Sequence, residues 1–275
     1  MNTTVRSGEA IDKALGEGRA SLITYLPVGF PSVAGTVAAA KAAIAEGTDV
    51  VELGLPYTDP MMDGATIQRA VQHALDGGTR VADVLRAVEQ VAETGAAVLV
   101  MTYWNPIFHY GVERWARDFA AAGGAGLITP DIIPEEAGDW IAASDEHNLD
   151  RIFLVAPSST PQRLALTARA SRGFVYAAST MGVTGERASV GALAEKLVND
   201  TRAAGAQRVC LGLGVSTGEQ AREIAKYSDG VIVGSAYVRA MLETADASGA
   251  FTDADAARAA GEVSQRLRAG IEAAQ

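Results

Sequence analysis

The chain has 275 residues, 48% of them hydrophobic, 20% charged and 6% aromatic. That is long enough for one large core or two smaller ones, with an ordinary globular composition rather than a disordered one. A net charge of −10 and the lack of any basic run argue against nucleic acid as a partner, because phosphate backbones need a basic footprint.

The first segment with helical period is "GEAIDKALGEG", from Gly8. "ASLITYL" from Ala20 then reads as a strand, followed by the helical "VAGTVAAAKAAIAEG". "DVVELGL" from Asp49 is the second strand. The helical "VADVLRAVEQVAETG" precedes the third, "AAVLVMTY" from Ala96. "GVERWARDFAAAGG" precedes "GLIT" from Gly126, and "EEAGDWIAASDEHN" precedes "RIFLVA" from Arg151. "GFVYAA" from Gly173, "RVCLGLGV" from Arg208 and "GVIVGSA" from Gly230 complete eight apolar runs. Ile133-Pro134 and Thr160-Pro161 place proline at helix starts. "STGE", Ser216 to Glu219, matches a capping box, and "TDAD" from Thr252 resembles one before the last helix.

Most of these runs are nearly continuously apolar, as strands buried on both faces are. Strands alternating with helices imply a parallel sheet with helical crossovers. Eight such units in about 250 residues fit an α/β (β/α)8 TIM barrel. The segment near Gly8 is an extra N-terminal helix capping its floor. No linker divides the chain, so residues 1–275 are read as a single domain. A doubly wound open sheet is the structural alternative.

In such barrels the catalytic groups lie at the C-terminal strand ends. Alternation puts Val50, Glu52 and Gly54 on one face, so Glu52 points into the barrel near that end. A buried ionised carboxylate is costly. The only basic residues in the eight runs, Arg151 and Arg208, stand at strand starts, the wrong end to pair with it. Desolvation raises such a carboxyl toward neutrality, as proton transfer requires. Asp63, in the loop after that strand, is either a turn residue or the second of an acid/base pair. Gly212, Gly214, Gly234 and Ser235 fall on adjacent loops after the seventh and eighth strands. Backbone N–H groups and a helix N-terminus there hold a phosphate without needing lysine. Tyr176 alternates with Phe174 and points inward, as a core tyrosine or as part of the pocket. "YAASTMGVTGER", residues 176 to 187, reads as a lid.

Cys210 is the only cysteine and reads as a small buried hydrophobe. With three histidines, no metal-ligand cluster has a usable spacing. The N-terminus lacks a signal-peptide apolar core, and no apolar run approaches the ~20 residues a membrane span needs. A soluble cytoplasmic protein without membrane contact is the expectation.

Together, "ELGLPYTDPMMDGATIQ", "MTYWNPIFHYG", "ASTMGVTG", "LGLGVS" and "DGVIVGSA" resemble the tryptophan synthase alpha subunit family, in the family's order. The resemblance runs from about residue 9 to the last helix. It implies retro-aldol cleavage of indole-3-glycerol phosphate to indole and glyceraldehyde 3-phosphate, with no cofactor and no metal. The family's catalytic glutamate and aspartate fall on Glu52 and Asp63, and its active-site tyrosine on Tyr176. The lid threonine matches Thr184, and the phosphate-binding backbone positions match Gly185, Gly214, Gly234 and Ser235. Leu127 and the Tyr103 ring are expected to line the indole slot. The family also implies a pyridoxal-phosphate-dependent beta subunit that receives indole, in an alpha2-beta2 complex. The loops carrying Asp59, Pro60, Asn105 and Pro106 then face that partner, and Trp104 and Phe108 read as exposed interface residues. This chain departs from the family at Ala65, where proline commonly follows Asp-Gly, and at Val28. It also has Leu22 where an aromatic indole neighbour is often found. A stand-alone lyase would share every catalytic residue. A non-catalytic phosphate-binding barrel that activates a partner is the other alternative. The earlier ring-closing enzyme of the same synthesis would want inward lysines, whereas Lys41, Lys196 and Lys226 sit in helical segments.

Overall fold

In chain order the strands are β1 (Ser21–Pro27), β2 (Val50–Gly54), β3 (Ala97–Met101), β4 (Gly126–Ile128), β5 (Asp150–Ile152), β6 (Leu154–Val155), β7 (Val175–Ala178), β8 (Val209–Gly212) and β9 (Gly230–Val233). The helices are α1 (Ser7–Gly16), α2 (Val33–Ala45), α3 (Ala65–Asp76), α4 (Val81–Ala92), α5 (Trp104–Tyr110) and α6 (Val112–Ala121). They continue with α7 (Gly138–Glu146), α8 (Pro161–Ala170), α9 (Arg187–Ala203), α10 (Gly218–Ala225), α11 (Ser235–Leu242) and α12 (Asp253–Glu272). This computed structural model describes residues 4–178, 187–212 and 214–274, with 187–190 as backbone only.

The strands pair in parallel in the order β5-β4-β3-β2-β1-β9-β8-β7-β6. The two sheet ends, β5 and β6, are consecutive pieces of one run separated by Phe153 alone. They are one broken strand, so eight strands close into a (β/α)8 TIM barrel. The break has a local cause. Arg151 exchanges backbone hydrogen bonds with Arg172, at 3.0 and 2.9 Å, in an antiparallel bridge. The lower half of the fifth strand is thereby drawn onto the segment before β7.

Alternation sorts the apolar residues into two cores. Ile23, Val50, Leu99, Ile128, Phe174, Cys210 and Ile232 fill the barrel. Leu22, Leu26, Val51, Leu53, Val98, Val100 and Leu127 pack outward against the helices. Burial on both faces is what makes the strand sequences read as continuous apolar runs. From below, α1 inserts Ile11 into the inner core. Its first residue is tied to the floor, where the Ser7 N–H and Oγ–H donate to Asp150 at 3.0 and 2.6 Å.

Helix starts follow their caps with two shifts from the sequence reading. Thr160 and Thr252 cap α8 and α12 as expected, accepting from the N–H groups of Arg163 and Asp255. The capping box at α10 belongs to Thr217 with Gln220, one residue later than Ser216. Ser216 instead donates its own N–H to Gln220 Oε1 at 2.8 Å. Ile133-Pro134 does not open a helix. Pro134 lies in a separate turn, closed by bonds from Glu136 N to Ile133 O and from Ala137 N to Pro134 O, and α7 begins at Gly138. Two helices, α3 and the shorter α5, occupy stretches that the periodicity reads as loop or strand end. Ala65 is the first residue of α3. Proline suits that position, and alanine, the best intrinsic helix former, also permits the helix.

Candidate active site

At the C-terminal end of the barrel is a cavity of about 550 Å³, lined by Glu52, Asp63, Tyr176, Gly212, Gly214, Gly234 and Ser235. Residues from four separate sequence regions therefore meet where the sequence placed the chemistry. Glu52 follows Val50 up the inner face of β2 and is fully buried. Neither of its carboxylate oxygens has a hydrogen-bond partner among the described residues. Burial raises its pKa from an ordinary 4.5 to about 8, because the uncharged form avoids the desolvation of the carboxylate. The acid is thus protonated near neutrality, and poised to give up its proton there.

Asp63 reaches the same cavity from the loop between β2 and α3. Burial raises its pKa as well. Its backbone carbonyl, not its carboxylate, accepts the Gln68 side-chain N–H, at 2.8 Å. The carboxylate is left facing the cavity. Tyr176, on the inner face of β7, has its pKa raised by burial first and by the nearby Glu52 second. A Cβ at position 212 would lie 2.5 Å from the Tyr176 hydroxyl. Gly212 is therefore required to seat the tyrosine, a role distinct from phosphate binding. Gly214 has φ +62°, a conformation glycine adopts without strain. Gly234 and Ser235 lie at the N-terminus of α11, where free N–H groups and the helix dipole favour an anion.

Thr184 and Gly185, and with them most of the expected lid, lie outside the described residues. Two expected slot residues are placed elsewhere. Leu127 points outward into the barrel–helix layer, and its neighbour Ile128 is the inward residue of β4. Tyr103 is not among the described residues that line the cavity. Its hydroxyl accepts the backbone N–H groups of Met61 and Met62, at 3.0 and 2.9 Å, and its ring packs 5.3 Å from that of Tyr57. It thereby pins the loop that carries Asp63. Leu22 likewise faces the helices. The aromatic residue of β1 at the cavity is Tyr25, which the sequence reading passed over although it alternates inward with Ile23. Met101, Leu154 and Ile232 add apolar wall.

On the same rim, Asp59 is exposed and Pro60 half-buried in the β2–α3 loop. Asn105 and Pro106 lie in the first turn of α5 rather than in a loop. Phe108 is 64% exposed, with Met61 at 74% and Met62 at 51%. Trp104 is half-buried against the outer core, not exposed as expected. Among the described residues, the fold assembles outside the barrel a trio that the sequence spacing hides. Ligand atoms of Glu113, Glu146 and His147 lie within 4.8 Å of one another, with His147 Nε2 2.6 Å from Glu113 Oε1. It has no connection with the cavity. No helix among the described residues is long and apolar enough to cross a membrane.

Comparison with known proteins agrees with this geometry. Residues 11–267 match the family described as tryptophan synthase alpha chain. The tryptophan synthase alpha chain of Mycobacterium marinum is 59% identical over 236 residues, 86% of this chain and 88% of that one. That of Mycobacterium tuberculosis is 54% identical over 268 residues, 98% of this chain and 96% of that one. Among solved structures, a Mycobacterium tuberculosis tryptophan synthase chain superposes with a TM-score of 0.86 at 52% identity, covering 98% of this chain and 99% of that one. Tryptophan synthase subunit alpha from Legionella pneumophila gives 0.87 at 29% identity, covering 99% of each. The chain belongs to the tryptophan synthase alpha chain family.

Proposed function

We propose that Glu52 and Asp63 carry the cleavage of indole-3-glycerol phosphate to indole and glyceraldehyde 3-phosphate, the carbon–carbon lyase reaction of this family. The observation that carries the assignment is the fully buried Glu52 carboxyl, without a partner among the described residues, in one cavity with Asp63.

Indole leaves poorly from carbon until its C3 is protonated. Glu52, protonated near neutrality, donates that proton and becomes a carboxylate. The ring is now a cationic indolenine, and the Asp63 carboxylate stabilises its N–H. The Glu52 carboxylate then takes the proton of the hydroxyl on the carbon bonded to C3. The C–C bond breaks, its electrons return to the ring, and the oxygen becomes the aldehyde carbonyl. Glu52 ends protonated, ready for another cycle. Gly214, Gly234 and Ser235 hold the phosphate through backbone N–H groups and the N-terminus of α11. Met101, Leu154 and Ile232 supply the apolar surface for the ring. Each step is proton transfer or electrostatic stabilisation by these side chains, so the chain is assigned no cofactor and no metal of its own.

The partner is a tryptophan synthase beta subunit, which holds pyridoxal phosphate and receives the indole in an alpha2-beta2 complex. The rim with Asp59, Pro60, Asn105, Pro106 and the exposed Met61, Met62 and Phe108 is the docking face, an apolar patch flanked by polar groups. Residues 1–275 act as one domain, in the cytoplasm, on a phosphorylated biosynthetic intermediate.

Indole release from indole-3-glycerol phosphate, with and without a tryptophan synthase beta subunit, tests the proposal. Turnover is expected to rise with the partner and to fall about 10²–10⁴-fold in Glu52→Gln. Partner-independent turnover would make the chain a stand-alone lyase. No indole under either condition would remove the lyase assignment.

A further inference from the structure

Four buried hydroxyls form a closed circuit between the barrel and its helices. Thr24 of β1 donates to the Tyr237 hydroxyl of α11 at 3.0 Å, and that hydroxyl lies 2.8 Å from Ser264 Oγ of α12. Ser264 Oγ lies 3.1 Å from Thr48 Oγ1, in the turn before β2, and Thr48 Oγ1 lies 2.7 Å from Thr24 Oγ1. With Thr24 donating to Tyr237, every hydroxyl of the circuit donates once and accepts once in a single sense. Thr24, Tyr237 and Ser264 are fully buried, and Thr48 nearly so. The circuit lies beside the start of α11. Thr24 is the Cα partner of Val233 across the β1–β9 ladder, and Val233 immediately precedes Gly234. Helices α8, α10 and α12 each begin under a threonine cap, whereas Gly234 gives α11 no capping side chain. The first bond inside α11 runs from the Val238 N–H to the Gly234 carbonyl. The N–H groups of Ser235, Ala236 and Tyr237 are thereby left for a ligand. A first turn that has no cap needs another anchor, and Tyr237 stands in that turn.

Resting on the placement of the substrate phosphate at α11 given above, we propose that Tyr237 is a positioning residue whose hydroxyl, through this circuit, holds the first turn of α11 in the orientation that binds the phosphate. Thr24 lies between the inward Ile23 and Tyr25, so the circuit sits on the helix side of the sheet. Tyr237 therefore acts through the helix and not on the substrate. A threonine cap would occupy N–H groups that the phosphate needs. Anchoring the turn from its side leaves its end open. Burial first raises the Tyr237 pKa, with the bonds to Ser264 and Thr24 opposing the rise. The phenol thus stays a neutral member of the circuit throughout the working range.

The test uses Tyr237→Phe, which removes only the hydroxyl, and Ser264→Ala, which opens the same circuit from α12 without altering α11. Both are assayed with the beta subunit for kcat and KM on indole-3-glycerol phosphate. Calorimetry adds their affinities for indole-3-propanol phosphate and for indole-3-propanol, its counterpart without the phosphate. In Tyr237→Phe, KM and the dissociation constant of the phosphate-bearing ligand are expected to rise together by about three- to ten-fold, the scale of one hydrogen bond. The value of kcat and the affinity for the alcohol are expected to stay unchanged. Ser264→Ala is expected to move the same two quantities in the same direction by less, because Tyr237 keeps its bond from Thr24. Lower stability with both quantities unchanged would overturn the inference, since the circuit would then be structural only. Equal weakening of the phosphate-bearing ligand and the alcohol would overturn it too. No indole from the unsubstituted chain would be failure of the lyase reading, and the calorimetric comparison, which needs no turnover, would still decide the role of Tyr237.

Discussion

The two ends of the barrel treat acidic side chains in opposite ways. At the floor, each strand-start aspartate is fully engaged. Asp49 accepts two guanidinium bonds from Arg19 at 2.8 Å and the Leu22 N–H at 2.8 Å. Asp150, nearly buried, takes the Ser7 N–H and Oγ–H and pairs with Arg6 at 3.2 Å. Asp229 accepts the Val209 N–H at 2.7 Å and pairs with Arg202 at 2.8 Å. Each of these three ties together segments far apart in sequence. At the top, Glu52 is more deeply buried than any of them, yet none of the described residues bonds its carboxyl oxygens. Three residues on from Asp49, which immediately precedes β2, the environment reverses from complete satisfaction to none. The floor is built for stability, and the top keeps its acids free for a substrate at some expense to the fold.

That contrast can be broken from the floor first. Asp150→Ala removes a buried partner and strands the Ser7 N–H and the Arg6 guanidinium. Denaturant unfolding is expected to show a loss of about 3–5 kcal/mol, while kcat/KM measured well below the melting midpoint stays near that of the unsubstituted protein. A large loss of activity in the folded variant would mean that floor and top are not separable. A smaller effect is expected at the loop that carries Asp63. Tyr103→Phe deprives the Met61 and Met62 N–H groups of their acceptor, and water at this exposed loop replaces part of the loss. Faster proteolytic cleavage at Met61–Met62 should accompany a three- to ten-fold fall in kcat/KM, on the order of one hydrogen bond. Unchanged cleavage would show that the phenol does not hold the loop.

Much of this organisation was legible in the sequence because the relevant signals were chemical contradictions. A glutamate in "VVELGL" with no basic residue at the right end of any strand has few structural explanations. Glycines clustered after the last two strands fit an anion cradle. The reading was weaker wherever a one-residue shift reverses a strand's face. In the three-residue β4, Leu127 and Ile128 are both apolar, and composition does not tell which enters the barrel. In β1 the resemblance points to Leu22, whereas Tyr25, in register with Glu52, is the aromatic at the cavity. The Tyr103 clamp is beyond sequence reasoning, because it depends on a phenol just past β3 meeting backbone N–H groups 42 and 41 residues earlier in the chain. The Glu113–Glu146–His147 trio is of the same kind, formed only when α6 packs on α7.

Glu52 is held neutral in the folded protein without a partner among the described residues, and this makes stability depend on pH. The unfolded chain releases this proton near pH 4.5, whereas the folded chain keeps it to about 8. Between those values folding takes up a proton, so stability falls as pH rises, by up to about 1.4 kcal/mol per pH unit. Glu52→Gln has no proton to bind there. Denaturant unfolding of both proteins from pH 4 to 9 should show the difference in stability shifting in the variant's favour between pH 4.5 and about 8, then levelling off. Parallel curves across that range would mean that Glu52 titrates as an ordinary carboxyl, and would contradict the account.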